Sequence, residues 1–117
     1  MRHSLPILLC SSNEDYRSLL REMLGKNGFF HVLEAGTIEE TRELLRTQSE
    51  TALTIIHIDL LDGPISSQLR AKGQYIVLSQ SETEESIVKA AILGVDHFLS
   101  FPFSSRNLLE KIEKLTQ

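Results

Sequence analysis

Short apolar runs alternate with stretches of helical periodicity from one end of the chain to the other. The runs are Leu5 to Cys10, Phe29 to Ala35, Leu53 to Ile58, Tyr75 to Ser79 and Asp96 to Ser100. Most are nearly continuous in apolar residues, the pattern of strands covered by helices on both faces. Five strand and helix pairs in succession predict an α/β domain. Its expected architecture is a doubly wound, parallel, five-stranded (βα)5 sheet in three α/β/α layers, closed by βαβ crossovers.

The first helix is predicted to start at Ser12-Asn13-Glu14-Asp15, where a hydroxyl three residues before a carboxylate satisfies free N–H groups reciprocally. Its expected core stripe is Tyr16, Leu19, Leu20, Met23 and Leu24, with Gly25 or Gly28 as the left-handed stop. Thr37 to Glu40 and Ser81 to Glu84 repeat the start signal for the second and fourth helices, the fourth ending near Gly94. The third, about Ile65 to Lys72, has the weakest pattern. The last starts near Ser104 or Ser105 and carries Leu108, Leu109, Ile112 and Leu115 on one face.

The 117 residues match one ordinary domain, spanning 1–117, that buries roughly two-thirds of its unfolded surface. No second or effector domain is expected, so output comes from this domain's own surface. Cys10 is the single cysteine, which excludes an internal disulfide and a thiolate metal cluster and fits a reducing cytoplasm. The run Ile7 to Cys10 is too short for a secretory segment or a membrane span. A net charge of -4, from 12 Lys+Arg against 16 Asp+Glu, lacks the basic excess that drives non-specific nucleic-acid binding. Neither nucleic acid nor membrane is expected as a partner.

In open α/β sheets ligands collect beyond the carboxyl ends of the strands, near the point where strand order reverses. The loops predicted there contain Ser11-Ser12-Asn13, His57 to Gly63, Ser79-Gln80-Ser81 and Phe101-Pro102-Phe103. His57 reads as a hydrogen-bonded strand-end histidine, because a metal or phosphoryl site needs several convergent groups and no second histidine is near in sequence. Cys10 reads as a small buried hydrophobe. The remaining histidines, His3, His31 and His97, are scattered and read as surface residues.

Over nearly its full length the chain resembles the receiver domain of two-component response regulators. The resemblance is carried by Ile7-Leu8-Leu9 leading into Arg17-Ser18-Leu19-Leu20, by Tyr75-Ile76-Val77-Leu78-Ser79, and by Ala91 through Leu109. The stretch Gly94-Val95-Asp96-His97-Phe98-Leu99-Ser100-Phe101-Pro102-Phe103 is similar to the family's Gly-Ala-Asp-x-[Tyr/Phe]-Leu-x-Lys-Pro-Phe signature. It implies a flavodoxin-like, receiver-like fold and a cis Phe101–Pro102 bond. The chemistry departs from the family. Ser11 and Ser12 stand where the resemblance places a metal-binding acidic pair, His57 where it places the phosphoryl-accepting Asp, and Phe101 where it places a Lys. Ser79 and Pro102 are retained.

Magnesium prefers carboxylate and phosphate oxygens, and phosphoryl transfer depends on cationic stabilisation of spreading charge. Two serines and a phenylalanine supply neither. The expected function is therefore that of a degenerate receiver, or pseudo-receiver. It is a phosphorylation-independent protein-interaction module of bacterial signalling, without enzyme activity, metal or cofactor. Its partner is expected to be a pathway protein, with a second copy of the chain as another candidate. Phe98, at the position of the family's reporter aromatic, is the expected anchor of the surface formed by the fourth helix, fifth strand and fifth helix. Glu82 and Glu85, on the predicted fourth helix, are expected to contribute smaller, salt-sensitive effects on association rate.

Two alternatives stay open. Asp59 would be the acceptor if the third strand ran two residues longer, putting His57 and Asp59 on one side of an extended strand. That leaves a short Leu60 to Gly63 connection and still no metal pair; separately, Glu14 and Asp15 would stand in for the acidic pair, although carboxylates belong in a first helical turn anyway. Alternatively, Ser11 to Asn13 at a helix N-terminus would cradle a phosphate-containing small ligand, though without the glycine of known phosphate loops.

Overall fold

The computed structural model describes residues 4–48, 52–72, 74–79, 84–94, 97–100 and 102–116. The expectations for His3, Ser81, Glu82, Phe101 and the Phe101–Pro102 bond lie outside them. Strands β1 (Ile7–Cys10), β2 (Val32–Ala35), β3 (Leu53–His57), β4 (Tyr75–Ser79) and β5 (Phe98–Ser100) alternate with helices. These are α1 (Glu14–Gly25), α2 (Ile38–Thr47), α3 (Gly63–Lys72), α4 (Glu84–Leu93) and α5 (Ser105–Thr116). All strand pairings are parallel, in the order β2-β1-β3-β4-β5. The order reverses between β1 and β3, so the crevice beyond their carboxyl ends is the place for a site.

Successive strand side chains point to opposite faces and divide the core in two. Ile7, Leu9, Ile55, Ile76 and Leu78 pack under α1 and α5 with Tyr16, Leu20, Leu24, Leu108 and Ile112. Leu8, Cys10, Ile56 and Val77 face α2 and α3 with Leu45, Ile65 and Leu69, joined by Leu93 of α4. Every residue of β1 is buried because both of its faces are covered. The predicted strands are each cut back at their edges except β4. Phe29 packs in the core beneath α1 before β2 begins.

Several local expectations change. Asn13, not Ser12, caps α1, its Oδ1 accepting from the Tyr16 amide at 3.0 Å. Leu19 is 41% exposed, off the stripe that Tyr16, Leu20 and Leu24 bury. Gly28, at φ 89°, supplies the left-handed stop, and Gly94, at φ 70°, follows α4. The third helix starts earlier than predicted because Asp62 caps it, Oδ1 accepting from the Ile65 amide at 2.8 Å. His97 is partly buried, edge-on to Tyr75.

Thr54 is fully buried in β3, and its hydroxyl has no hydrogen-bond partner among the described residues. An unsatisfied buried hydroxyl costs about 1–3 kcal/mol. Thr54→Val should therefore raise stability by about 1 kcal/mol or more in urea unfolding. A loss would show that the hydroxyl is satisfied.

Burial pushes the Cys10 thiol up to about 12, against smaller opposing effects from the Thr41 hydroxyl and the Arg17 charge. The folded state thus holds its proton where the unfolded chain, near 9.0, releases it. Stability from this group is intact below pH 9.0 and is lost as pH rises from there towards 12. Cys10→Ala should flatten that alkaline decline in denaturation measured from pH 8 to 11, at some cost in packing. An unchanged slope would place the titration elsewhere.

Candidate functional site

The loops after β1 and β3 meet at the switch point. β3 ends at His57 and the chain turns at once into a single 3-10 turn, Ile58–Leu60. The strand therefore does not extend to Asp59, and the arrangement that would put His57 and Asp59 on one side of a longer strand is not formed. The turn folds Asp59 back towards the strand end instead. His57 Nδ1 lies 2.7 Å from Asp59 Oδ1 and 3.3 Å from the Asp59 amide nitrogen. The shorter contact favours a proton on Nδ1, donated to the carboxylate.

The other carboxylate oxygen, Oδ2, accepts a hydrogen bond from the Ser12 hydroxyl. Asp59 thus bridges two loops, while its side chain stays 40% exposed. The far side of the imidazole is closed. Nε2 is buried with no hydrogen-bond partner among the described residues, and the ring meets Tyr16 edge-on at 5.4 Å between centroids. Burial pushes the Tyr16 phenol up to about 12, so this wall is neutral at physiological pH.

Ser11 is buried, its Oγ accepting from the Asn13 amide at 3.2 Å. The Arg17 guanidinium donates to the Ser11 carbonyl and, through Nε, to Glu34 at 3.1 Å. Arg21 pairs with the second oxygen of Glu34. A Cβ at Gly36 would come within 3.0 Å of the same guanidinium, so glycine leaves room for it there. Arg17 thereby ties the loop after β1 to β2. Across the site, Lys89 of α4 donates to the Ile58 carbonyl at 2.9 Å, pinning the 3-10 turn.

The chemistry available is limited. Ser12, Asp59 and His57 form a chain with the carboxylate in the middle, whereas nucleophilic triads put the imidazole next to the hydroxyl. Of the amides at the start of α1, those of Asn13 and Tyr16 already donate to the Ser11 and Asn13 side chains, and Arg17 N donates to the Asn13 carbonyl.

No family model matches the chain. A transcriptional regulatory protein of Bacteroides fragilis, RprY, is 26% identical over 119 residues, covering 98% of this chain and 50% of its own. The chain thus spans about half the length of the curated relative it matches. A response regulator receiver protein from Pseudomonas putida superposes with a TM-score of 0.73 at 26% identity, over 95% of this chain and 97% of its own. The CheY-like receiver domain protein of Methanospirillum hungatei gives 0.74 at 24% identity, over 96% and 94%. A Francisella response regulator receiver domain gives 0.77 at 21% identity, over 97% of both. This is a receiver-like domain.

A receiver-like pocket implies a divalent cation, and the residues here do not fit one. Such ions need several hard oxygen ligands. The Ser11 hydroxyl is committed to the Asn13 amide and the Ser12 hydroxyl to Asp59. Among the described residues no group of three or more His, Cys, Asp or Glu side chains is placed to hold a metal. Glu14 and Asp15 stay in the first turn of α1.

The structure brings Ser11, Ser12, His57 and Asp59 together at this receiver-like pocket. Ser79 ends β4, buried, and Phe101 lies outside the described residues. Phe98 opens edge strand β5 and is partly buried against Leu93's cluster, while Glu85 is exposed on α4. Arg17 and Lys89 were missed as site residues. Both act on backbone carbonyls of distant segments, which no local spacing announces.

Proposed function

We propose that the domain is a degenerate receiver that binds a signalling protein without being phosphorylated. The observation that carries this reading is that both oxygens of Asp59, the carboxylate beside the acceptor position, are engaged by His57 and Ser12. An acceptor oxygen must be free to attack in line, with cations to gather the developing charge. At the acceptor position itself, His57 has one nitrogen on Asp59 and the other enclosed. Neither nitrogen is presented to a phosphodonor, and the Ser12 hydroxyl is paired with a carboxylate and not with an imidazole base, so the reading assigns no enzyme activity.

The partner surface is assigned to α4, β5 and α5. β5 is an edge strand, beside which another chain can dock. On α4, Val88 and Ile92 are exposed, Ile92 by 77%; with Glu85 they line a groove of about 410 Å³ that opens towards Leu61 and Asp62 of the loop after β3, on the side of α4 away from β5. Partly buried Phe98 is the aromatic anchor of this reading, with Glu85 and Glu82 steering association. The reading places the domain in the cytoplasm; no described helix is long and apolar enough to cross a membrane.

Acetyl phosphate with magnesium, or beryllofluoride, should leave the intact mass and the amide NMR spectrum unchanged. An adduct on Asp59 or His57 would overturn the reading in favour of a phosphorylatable regulator.

For the partner surface, Phe98→Ala should weaken a complex captured from the native cell at least tenfold, as truncated aromatic anchors do. Circular dichroism would verify that the variant stays folded. Glu85→Lys should change mainly the association rate, in a salt-dependent way. Normal binding by Phe98→Ala, with loss on substituting Ser11 and Ser12, would move recognition to the old phosphorylation pocket.

A further inference from the structure

At the opposite end of the sheet, where β5 begins and α5 ends, His97, Lys111, Lys114 and Leu115 line a pocket of about 350 Å³. Lys111 and Lys114 are three residues apart and share a helix face, an arrangement in which like charges repel. Neither has an ion-pair or hydrogen-bond partner among the described residues. Carboxylates are plentiful in this chain of net charge -4. Arg17, Arg21, Arg42, Arg46 and Arg106 each pair with one. Glu110, one turn before Lys114 and suitably placed for it, pairs instead with Arg106 at 3.3 Å. Lys114 in the last turn also complements the helix dipole, but Lys111 lies too far back for that.

The third polar wall is His97, whose ring meets buried Tyr75 at 5.1 Å and 64°, so its orientation is set by packing. Two lysines and a histidine thus line one concavity, with Leu115 as an apolar side. A dianion bound there relieves the lysine repulsion, and phosphate is the common biological dianion that lysine recognises as a point charge. The volume is at the lower end of the range for small-molecule sites. We propose that this pocket binds a phosphate group, free or carried on a small organic molecule. The assignment does not rest on the signalling reading: it uses none of the switch-point residues and neither Phe98 nor Glu85, although Lys111 and Lys114 share α5 with the proposed partner surface.

The test is titration of the full ¹⁵N-labelled chain with adenosine monophosphate, with inorganic phosphate, and with sodium chloride at matched ionic strength. Saturable amide shifts at His97, Lys111, Lys114 and Leu115, with Ser11 to Asn13 unmoved, are expected from at least one phosphate probe. Saturation by the nucleotide alone identifies an organic phosphate; equal saturation by both identifies the free ion. The double variant Lys111→Gln, Lys114→Gln should weaken binding at least tenfold with an otherwise unchanged spectrum, and Lys111→Arg, Lys114→Arg should retain it. Shifts that follow sodium chloride equally, or that survive the double glutamine variant, would overturn the proposal.

Discussion

The burial of the three inner strands on both faces is the constraint from which the rest follows. Parallel strands cannot be joined by tight hairpins, so β1, β3 and β4 require crossovers, and each crossover lays a helix over apolar side chains. Ile7 to Cys10 and Leu53 to Ile56 are buried throughout, and they satisfy the two helical layers by alternation. The same constraint delivers the ends of β1 and β3 side by side. Whatever polar groups follow those strands must then settle with one another.

In this chain they settle through a single carboxylate. Asp59 takes a hydroxyl from the loop after β1 and a ring nitrogen from its own strand end. Lys89 and Arg17 bind backbone carbonyls on either side. Two carboxylates held close without a cation repel each other, and one of them is driven to stay protonated. Serines at 11 and 12 remove that conflict. The pocket is thereby left with complementary groups, not with charges awaiting an ion.

The strands and helices were legible because apolar runs and the 3.6-residue period are local signals. The failures have a common cause in competition from afar. Ser12 is a good N-cap by sequence, yet Asp59, 47 residues on, takes its hydroxyl and leaves the cap to Asn13. Leu19 fits a generous apolar stripe, but packing against the sheet buries only the narrower one through Tyr16, Leu20 and Leu24. Ser11, Ser12, His57 and Asp59 could be nominated from strand ends alone. Asp59 folds back through a 3-10 turn, closed by Leu61 N on the Ile58 carbonyl, and Lys89 from α4 donates to that same carbonyl, a contact no local spacing announces.

A receiver that switches needs a ligand or modification with different affinity for two arrangements of its loops. Internal bonds between Ser12, Asp59 and His57 supply no such difference, since every partner is part of the same chain and always present. On the proposed reading, the loops after β1 and β3 are therefore held in one arrangement and α4 is held to them through Lys89. A surface kept in one form binds without paying to select it from a minor population, because apparent affinity falls with the fraction of competent molecules. On the same reading, serines at 11 and 12 and an aromatic on the edge strand are two sides of one design. That reading moves regulation from modification of the domain to the abundance of the domain and its partner.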